Sequence, residues 1–372
     1  ASVGRENEMV ASTLATKESI RETIENLKGK PFHTITSQPV TATDVRRWGM
    51  AVYWPERPPR LFWDQEYAKN SRFGGIVAPA EFNPFAWPLD DTGHLALGHL
   101  PIWPDIGQIA GDDRGAGLRD PRSQGGFAVR SFSAGNEAEY HVPIRVGDVI
   151  TGTSELVDVY EKTGRSGILL FGLNEARLTN QNNELVKLLR HLRVFIFDRP
   201  DAPSQGLEQI KVVPTGNPHQ EWASPMVYDP QGVSFDQIEE GGALPIFRRY
   251  TDLMNFNRYA AVNDEYVYHH QDPDIANSRG QKDVDGMGLL QFAYLHNMLR
   301  QWIGESGDIR KFGVQYRANN GRGDIITCQG KVVRMYQEDG LYLVDVDMWT
   351  ENQRGETLSP GTATLSLPSR AT

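Results

Sequence analysis

The chain has one cysteine, Cys328, in 372 residues, which excludes an internal disulfide and fits a reducing compartment. It has no run of 18 apolar residues, so a bilayer-spanning helix is not expected. Positive charge is in short supply, with 38 Lys and Arg against 48 Asp and Glu and a net charge of -10. That balance argues against a nucleic-acid surface and leaves only a local basic pocket for a phosphorylated cofactor. The opening stretch ASVGRENEMVASTLATKESI lacks a basic region followed by an apolar core, so it does not read as a secretory signal. The expectation is a cytoplasmic protein that binds neither nucleic acid nor membrane.

What is present is an internal repeat in a chain long enough for two domains. The segment RVGDVITGTSELVDVYEKTGRSGILLFGLNEARLTNQNNELV (145–186) is echoed by GRGDIITCQGKVVRMYQEDGLYLVDVDMWTENQRGETL (321–358). Both begin with Gly-Asp, pass through a Tyr-centred segment and a Gly-containing turn, and reach Asn-Gln followed by a Glu. Alternating Val, Ile, Leu and Tyr between turn residues predicts an antiparallel meander in each half. Upstream, WDQEYAKNSRFGG (63–75) resembles QDPDIANSRGQ (271–281), each with an Asp four residues before an Ala. Two copies of one α+β module follow.

The predicted domains are 1–200, a linker over 201–240 rich in Pro, Gly and polar residues, and 241–372. In TKESIRETIENLKGKPF, Ile20, Ile24 and Leu27 predict an N-terminal packing helix with Gly29 just past its end. In the second module, GLLQFAYLHNMLRQWIG carries the stripe Leu295, Leu299, Trp302 and predicts the main helix, ending before Gly304. A helix wrapped by a curved antiparallel sheet is the expected picture. The matching region of the first module is broken by prolines and glycines, and those glycines do not fit a phosphate-binding loop.

Chemistry concentrates in NDEYVYHHQDPDIA (263–276) and DVDGMGLLQ (283–291). A carboxylate and an imidazole within hydrogen-bond reach could activate a water and pass on its proton, although a solvated polar loop has the same composition. No further ligand stands at zinc-like spacing, so no metal is expected. Gly286 and Gly288 fall where the main helix begins. Unpaired N–H groups there could meet a developing oxyanion, or the glycines could serve a tight turn alone.

HHQDPDIANSRG followed by DGMG and a helix resembles the signature of the MaoC-like R-specific enoyl-CoA hydratases. Their pattern is Asp-x-Asn-Pro-(Ile/Leu)-His-x-Asp-Pro-x-x-Ala, then His-Gly-Met before the central helix. Asp272, Pro273 and Ala276 match its second part, and Gly286-Met287 its end. YAKNSRFGGIVAP and the Gly-Asp segment resemble the dehydratase-like domain that precedes such modules. The resemblance covers most of residues 30–370 and implies an α+β double hotdog fold.

It further implies hydration of a trans-2-enoyl-CoA to the (R)-3-hydroxyacyl-CoA, or the reverse dehydration, with a bulky acyl group. Coenzyme A would enter only as part of the acyl-CoA substrate, with no other cofactor. The protein would be a homodimer or a monomer built as a pseudo-dimer. The family's Asn-Pro is absent. Its acid lies five residues before the histidine, which Asp264 with His269 and Glu265 with His270 both satisfy. The His-x-Asp-Pro spacing selects His270 and Glu265, whereas acid identity selects Asp264. Gly286 and Gly288 would face the thioester carbonyl, and Arg300, Lys311 and Arg317 are candidates for the coenzyme phosphates. The first module has Phe62 where the histidine would stand, so it would be degenerate and supply tunnel wall. The alternatives are a hotdog acyl-CoA thioesterase and a non-catalytic partner subunit.

Overall fold

The structure is a computed structural model that describes residues 22, 25, 26, 28–87, 129–164, 167–198, 217, 219, 228–278 and 281–370. Its first module comprises β1 (Pro31–Thr36), α1 (Ala42–Val52), α2 (Gln65–Lys69), β2 (Val129–Tyr140), β3 (Thr151–Gly164), β4 (Gly167–Thr179) and β5 (Leu185–Asp198). The second comprises β6 (Phe247–Tyr250), α3 (Leu253–Asn263), α4 (Tyr268–Gln271), α5 (Pro273–Ser278), α6 (Gly288–Ile303), β7 (Asp308–Gln315), β8 (Ile325–Glu338), β9 (Leu341–Glu351) and β10 (Thr357–Leu367). This is the α+β double hotdog that the resemblance implies. The predicted N-terminal helix lies almost wholly outside the described residues, as do most of the first module's broken-helix region and most of 201–240.

All ten strands form one sheet in the order β1-β3-β4-β5-β2-β7-β10-β9-β8-β6. The order reads the same from either edge once each strand is exchanged for its counterpart. The modules therefore meet as two halves of a pseudo-twofold, through antiparallel β2 and β7, where Gly135 opposes Gln315 and Glu139 opposes Lys311. Alternation sets which face is buried: Val344, Val346 and Met348 of β9 point into the core while Asp345 and Asp347 are partly exposed.

The repeated Gly-Asp and Asn-Gln pairs form one device. Asp148 accepts from Arg145 N–H at 2.7 Å and from Gln181 Nε2 at 3.1 Å. Asp324 accepts from Gly321 N–H at 2.8 Å and from Gln353 Nε2 at 2.9 Å. Asn180 and Asn352 each close the next turn by accepting two backbone N–H groups. Gly147 and Gly323 supply the positive φ, 96° and 92°, that the turn before each Asp needs. A side chain that satisfies buried backbone groups leaves little choice of residue, which explains why these positions recur.

Helix α6 is buried on nearly all sides, from Leu290 through Leu299, rather than along the expected stripe, and Trp302 of that stripe is partly exposed. The wrapping sheet and the first module cover the faces that an amphipathic helix would leave to water. Several of its polar groups are bonded: Asn297 Nδ2 donates to Val52 O at 2.9 Å, and Gln291 Oε1 accepts from Thr350 and Ser359. Residues 228–245, which include the described end of the expected linker, pack against the second module. Val233 N–H donates to Trp302 O, Phe235 N–H to Pro368 O, and Leu244 is buried.

Gly135 sits at the junction, and a Cβ there would lie 2.6 Å from Val314 O. Gly135→Val should cost about 1–3 kcal/mol through forced backbone movement. Calorimetry should record a lower unfolding midpoint, and an unchanged midpoint would contradict this account of the junction.

Candidate active site at the start of the buried helix

Helix α3 ends at Asn263, and Asp264 caps it in the left-handed region at φ 53°. Asp tolerates that conformation better than most residues. The turn then folds back on itself, with Glu265 N–H donating to Ala260 O and His270 N–H to Val267 O. Asp264 and Glu265 are 7% and 6% exposed, so the turn buries two adjacent carboxyls. They face different partners. Asp264 Oδ2 accepts from Trp87 N–H at 3.4 Å, whereas Glu265 Oε2 accepts from Asn263 Nδ2 at 2.8 Å. Asn263 is itself held by Asn83 of the first module at 2.9 Å.

His270 Nδ1 lies 2.8 Å from Asp285 O and 2.9 Å from Asp285 Oδ1. A carbonyl oxygen only accepts, so the proton is on Nδ1 and Nε2 is the atom left for chemistry. Burial lowers the imidazole pKa, but the hydrogen bond and charge of Asp285, joined by the charge of Glu265, raise it overall above its ordinary 6.5. Burial also raises the Glu265 pKa, against the opposing pull of His270 and the Asn263 hydrogen bond. Asp264 is raised by burial too, opposed by the Trp87 N–H. Glu265 and His270 thus act on each other electrostatically. His269 packs against His270 with the rings tilted at 45° and their centroids 4.1 Å apart.

Asp285 is the residue that the sequence reading missed, and its signal was its place directly before Gly286. Asn319 Nδ2 and Gln281 Nε2 both donate to its other oxygen, which fixes the carboxylate. His269, His270 and Asp285 also form the one group among the described residues that could hold a cation. A cation bound through Nδ1 of His270 would displace the proton held there by two Asp285 oxygens, whereas Nε2 could meet one with that hydrogen bond intact.

The glycines serve the protein itself. Gly286 N–H donates to Asn320 O at 2.8 Å, so it does not present a free donor to a substrate. A Cβ at Gly286 would lie 2.5 Å from Asn320 Nδ2 and 2.6 Å from Phe256, and one at Gly288 would lie 3.0 Å from the Tyr316 ring. The expected close approach at both glycines is therefore by neighbouring side chains. Gly288 N–H belongs to the first turn of α6 and has no intrahelical acceptor.

The first module repeats the frame without the chemistry. Asp64 N-caps α2 by accepting from Tyr67 N–H, as Asp272 accepts from Asp274 N–H at the start of α5. Phe62 is buried at 3% exposure where His270 stands in the second module, and Tyr53 caps α1 where Asp264 caps α3. With Glu81, His296 and Arg300 they leave a cavity of about 10 Å³. That is room for at most a single water. Of the basic candidates, Arg300 is spent on the carbonyls of Gly304 and Gly307, while Lys311 and Arg317 are exposed.

Residues 26–189 match the family described as the FAS1-like dehydratase domain region. No curated protein sequence matches the chain. Among solved structures, a MaoC-like dehydratase is 20% identical at a TM-score of 0.64, covering 93% of this chain and 99% of its own. A putative MaoC domain protein dehydratase from Chloroflexus aurantiacus is 12% identical at a TM-score of 0.60, covering 92% and 96%. The peroxisomal multifunctional enzyme type 2 of Drosophila melanogaster is 11% identical at a TM-score of 0.52, covering 94% of this chain and 51% of its own. Among the described residues, no helix is long and apolar enough to cross a membrane.

Removing the Asp285 charge leaves burial as the dominant influence on His270. Asp285→Asn should therefore lower the His270 titration midpoint below that of the parent, read by NMR of the imidazole nitrogens. A midpoint that stays or rises would disprove the role given to Asp285.

Proposed function

We propose that this MaoC-like double-hotdog protein, whose first module matches the FAS1-like dehydratase region, adds water reversibly to a trans-2-enoyl thioester of coenzyme A. The observation that carries the reading is the pairing of buried Glu265 with half-buried His270, oriented by Asp285 just before the first turn of α6. In the hydration direction the Glu265 carboxylate takes a proton from water as its oxygen bonds to C3. His270, protonated and held through Nδ1–H by Asp285, gives its Nε2 proton to C2. The proton on Glu265 then returns to His270, so one water is consumed and the pair is reset. Both groups act from one side of the alkene, which makes the addition syn. Dehydration retraces the same steps.

Gly288 N–H and the positive end of the α6 dipole support negative charge on the thioester oxygen as the enolate forms. Lys311 and Arg317 are the candidates for the coenzyme phosphates. With Tyr53 and Phe62 filling the corresponding site, the first module shapes the substrate space, and bulky acyl groups are the class to test first. Glu265 is favoured over Asp264 because its charge acts on His270, while Asp264 faces the Trp87 amide.

His270→Ala and Glu265→Gln should each lower turnover by about 10²–10⁴-fold, the usual worth of a positioned acid or base. Asp264→Asn should leave most of the rate. The assay follows loss of enoyl-thioester absorbance and gain of one water by mass across acyl groups of graded bulk. Free-thiol release measured alongside would instead mark a thioesterase, and near-normal hydration by His270→Ala would sink the assignment. The working state carries one proton shared by the pair. Activity should thus fall as pH rises through the His270 pKa, raised above 6.5, and Asp285→Asn should move that alkaline limb to lower pH.

A further inference from the structure

The repeat places a tyrosine at the same point of each module, with Tyr140 eight residues before Asp148 and Tyr316 eight residues before Asp324. Their hydroxyls have different fates. Tyr140 Oη lies 2.7 Å from His296 Nε2. His296 Nδ1 lies 2.8 Å from Phe292 O, which places its proton on Nδ1 and makes Nε2 the acceptor of the Tyr140 hydroxyl. Burial pushes that imidazole down to about 3, so this pairing is neutral and complete. The Tyr316 hydroxyl is buried and has no hydrogen-bond partner.

An orphaned buried hydroxyl costs about 1–3 kcal/mol and calls for an explanation. The position of the ring supplies one. Tyr316 Cε1, Cδ1 and Cζ all pack against Gly288, at 3.0–3.1 Å from where a Cβ would be, so the hydroxyl on Cζ lies beside the first turn of α6. Its electrostatic partner is Glu265. The hydroxyl therefore lies beside the amide that the thioester oxygen would approach, with the proposed water-activating acid as its electrostatic neighbour.

A second contrast between the modules points the same way. Asn320 occupies the place that Ile144 holds in the first module, since Gly286 N–H donates to Asn320 O as Ala78 N–H donates to Ile144 O. The Asn320 amide Nδ2 is also buried without a partner. Polar groups at the helix start are thus left unmatched in the module that keeps the acid and histidine, whereas the silent module is apolar at Ile144 and satisfied at Tyr140.

We propose that the Tyr316 hydroxyl donates a hydrogen bond to the thioester carbonyl oxygen of the bound acyl group, as the second donor beside Gly288 N–H. This rests on the hydratase reading and adds to it a side-chain donor that replaces the Gly286 amide engaged by Asn320. Burial holds the phenol well above its ordinary pKa of 10.0, so it keeps its proton throughout the working range. It is a donor at every pH at which the enzyme works.

Tyr316→Phe keeps the ring against Gly288 and removes only the hydroxyl. It should lower kcat and kcat/KM together by about 100-fold, as loss of one oxyanion donor does. The unfolding midpoint should not fall, and should rise by up to a few degrees because an unpartnered buried hydroxyl is gone, while the limbs of the pH profile should not move. The second readout is the absorbance of a conjugated dienoyl-CoA bound to His270→Ala, whose slowed turnover leaves the complex intact for the measurement. Polarisation of its carbonyl should shift the band to the red, and adding Tyr316→Phe should remove most of that shift. Parent activity with unchanged kcat in Tyr316→Phe overturns the role of Tyr316 and leaves the hydratase reading standing. A parent without turnover on any enoyl thioester overturns that reading, and an equal band position with and without the hydroxyl overturns this inference separately.

Discussion

The antiparallel pairing of β2 with β7 is the contact on which the rest of the molecule depends. It turns two meanders into one ten-stranded sheet and removes one of the two edges that each half would otherwise expose, leaving β1 and β6 at the ends. It also sets where the modules face each other. Asn83 of one module reaches Asn263 of the other, Asn297 of α6 reaches Val52, and the buried Arg249 reaches Glu56. The first two of these join the first half to site-bearing elements of the second.

On this shared frame the two halves have opposite electrostatic characters. The second buries Asp264, Glu265, Asp283 and Asp285 within a few turns of α6. Such a concentration of acid is costly unless hydrogen bonds or protons compensate it. Asn263, His270, Asn319 and Arg322 supply that compensation. The first half places Phe62 and Tyr53 at the corresponding positions and needs no such support. A catalytic reading of one half and a structural reading of the other both follow from this difference in what is buried.

Much of this was legible in the sequence because the repeated residues are those whose identity the backbone dictates. Asp148 and Asp324 must accept turn amides, and Gly147 and Gly323 must adopt positive φ, so both copies carry the same letters. The apolar period of α6 placed the main helix, and the spacing around Asp272 singled out His270. The continuity of the sheet was not visible, because β2 and β7 pair through backbone groups that any residue supplies. Asp285 was hidden for another reason: it meets His270 only after the chain has folded back through α4 and α5. The role expected of Gly286 changed, its N–H being taken by Asn320, because a glycine shows that something approaches closely, but not what. Asn320, Phe256 and Tyr316 are what approaches.

The pseudo-twofold has a consequence for how such a molecule can change. In a pair of identical chains every substitution enters both sites, so an improvement for one role is imposed on the other. Here the two sites are written separately in one polypeptide, and a residue can be altered in one without its twin. Tyr140 and Tyr316 illustrate this freedom. The same side chain in the same place is locked to a histidine in one half and left unengaged in the other. Joining the halves end to end is what allows that division of labour.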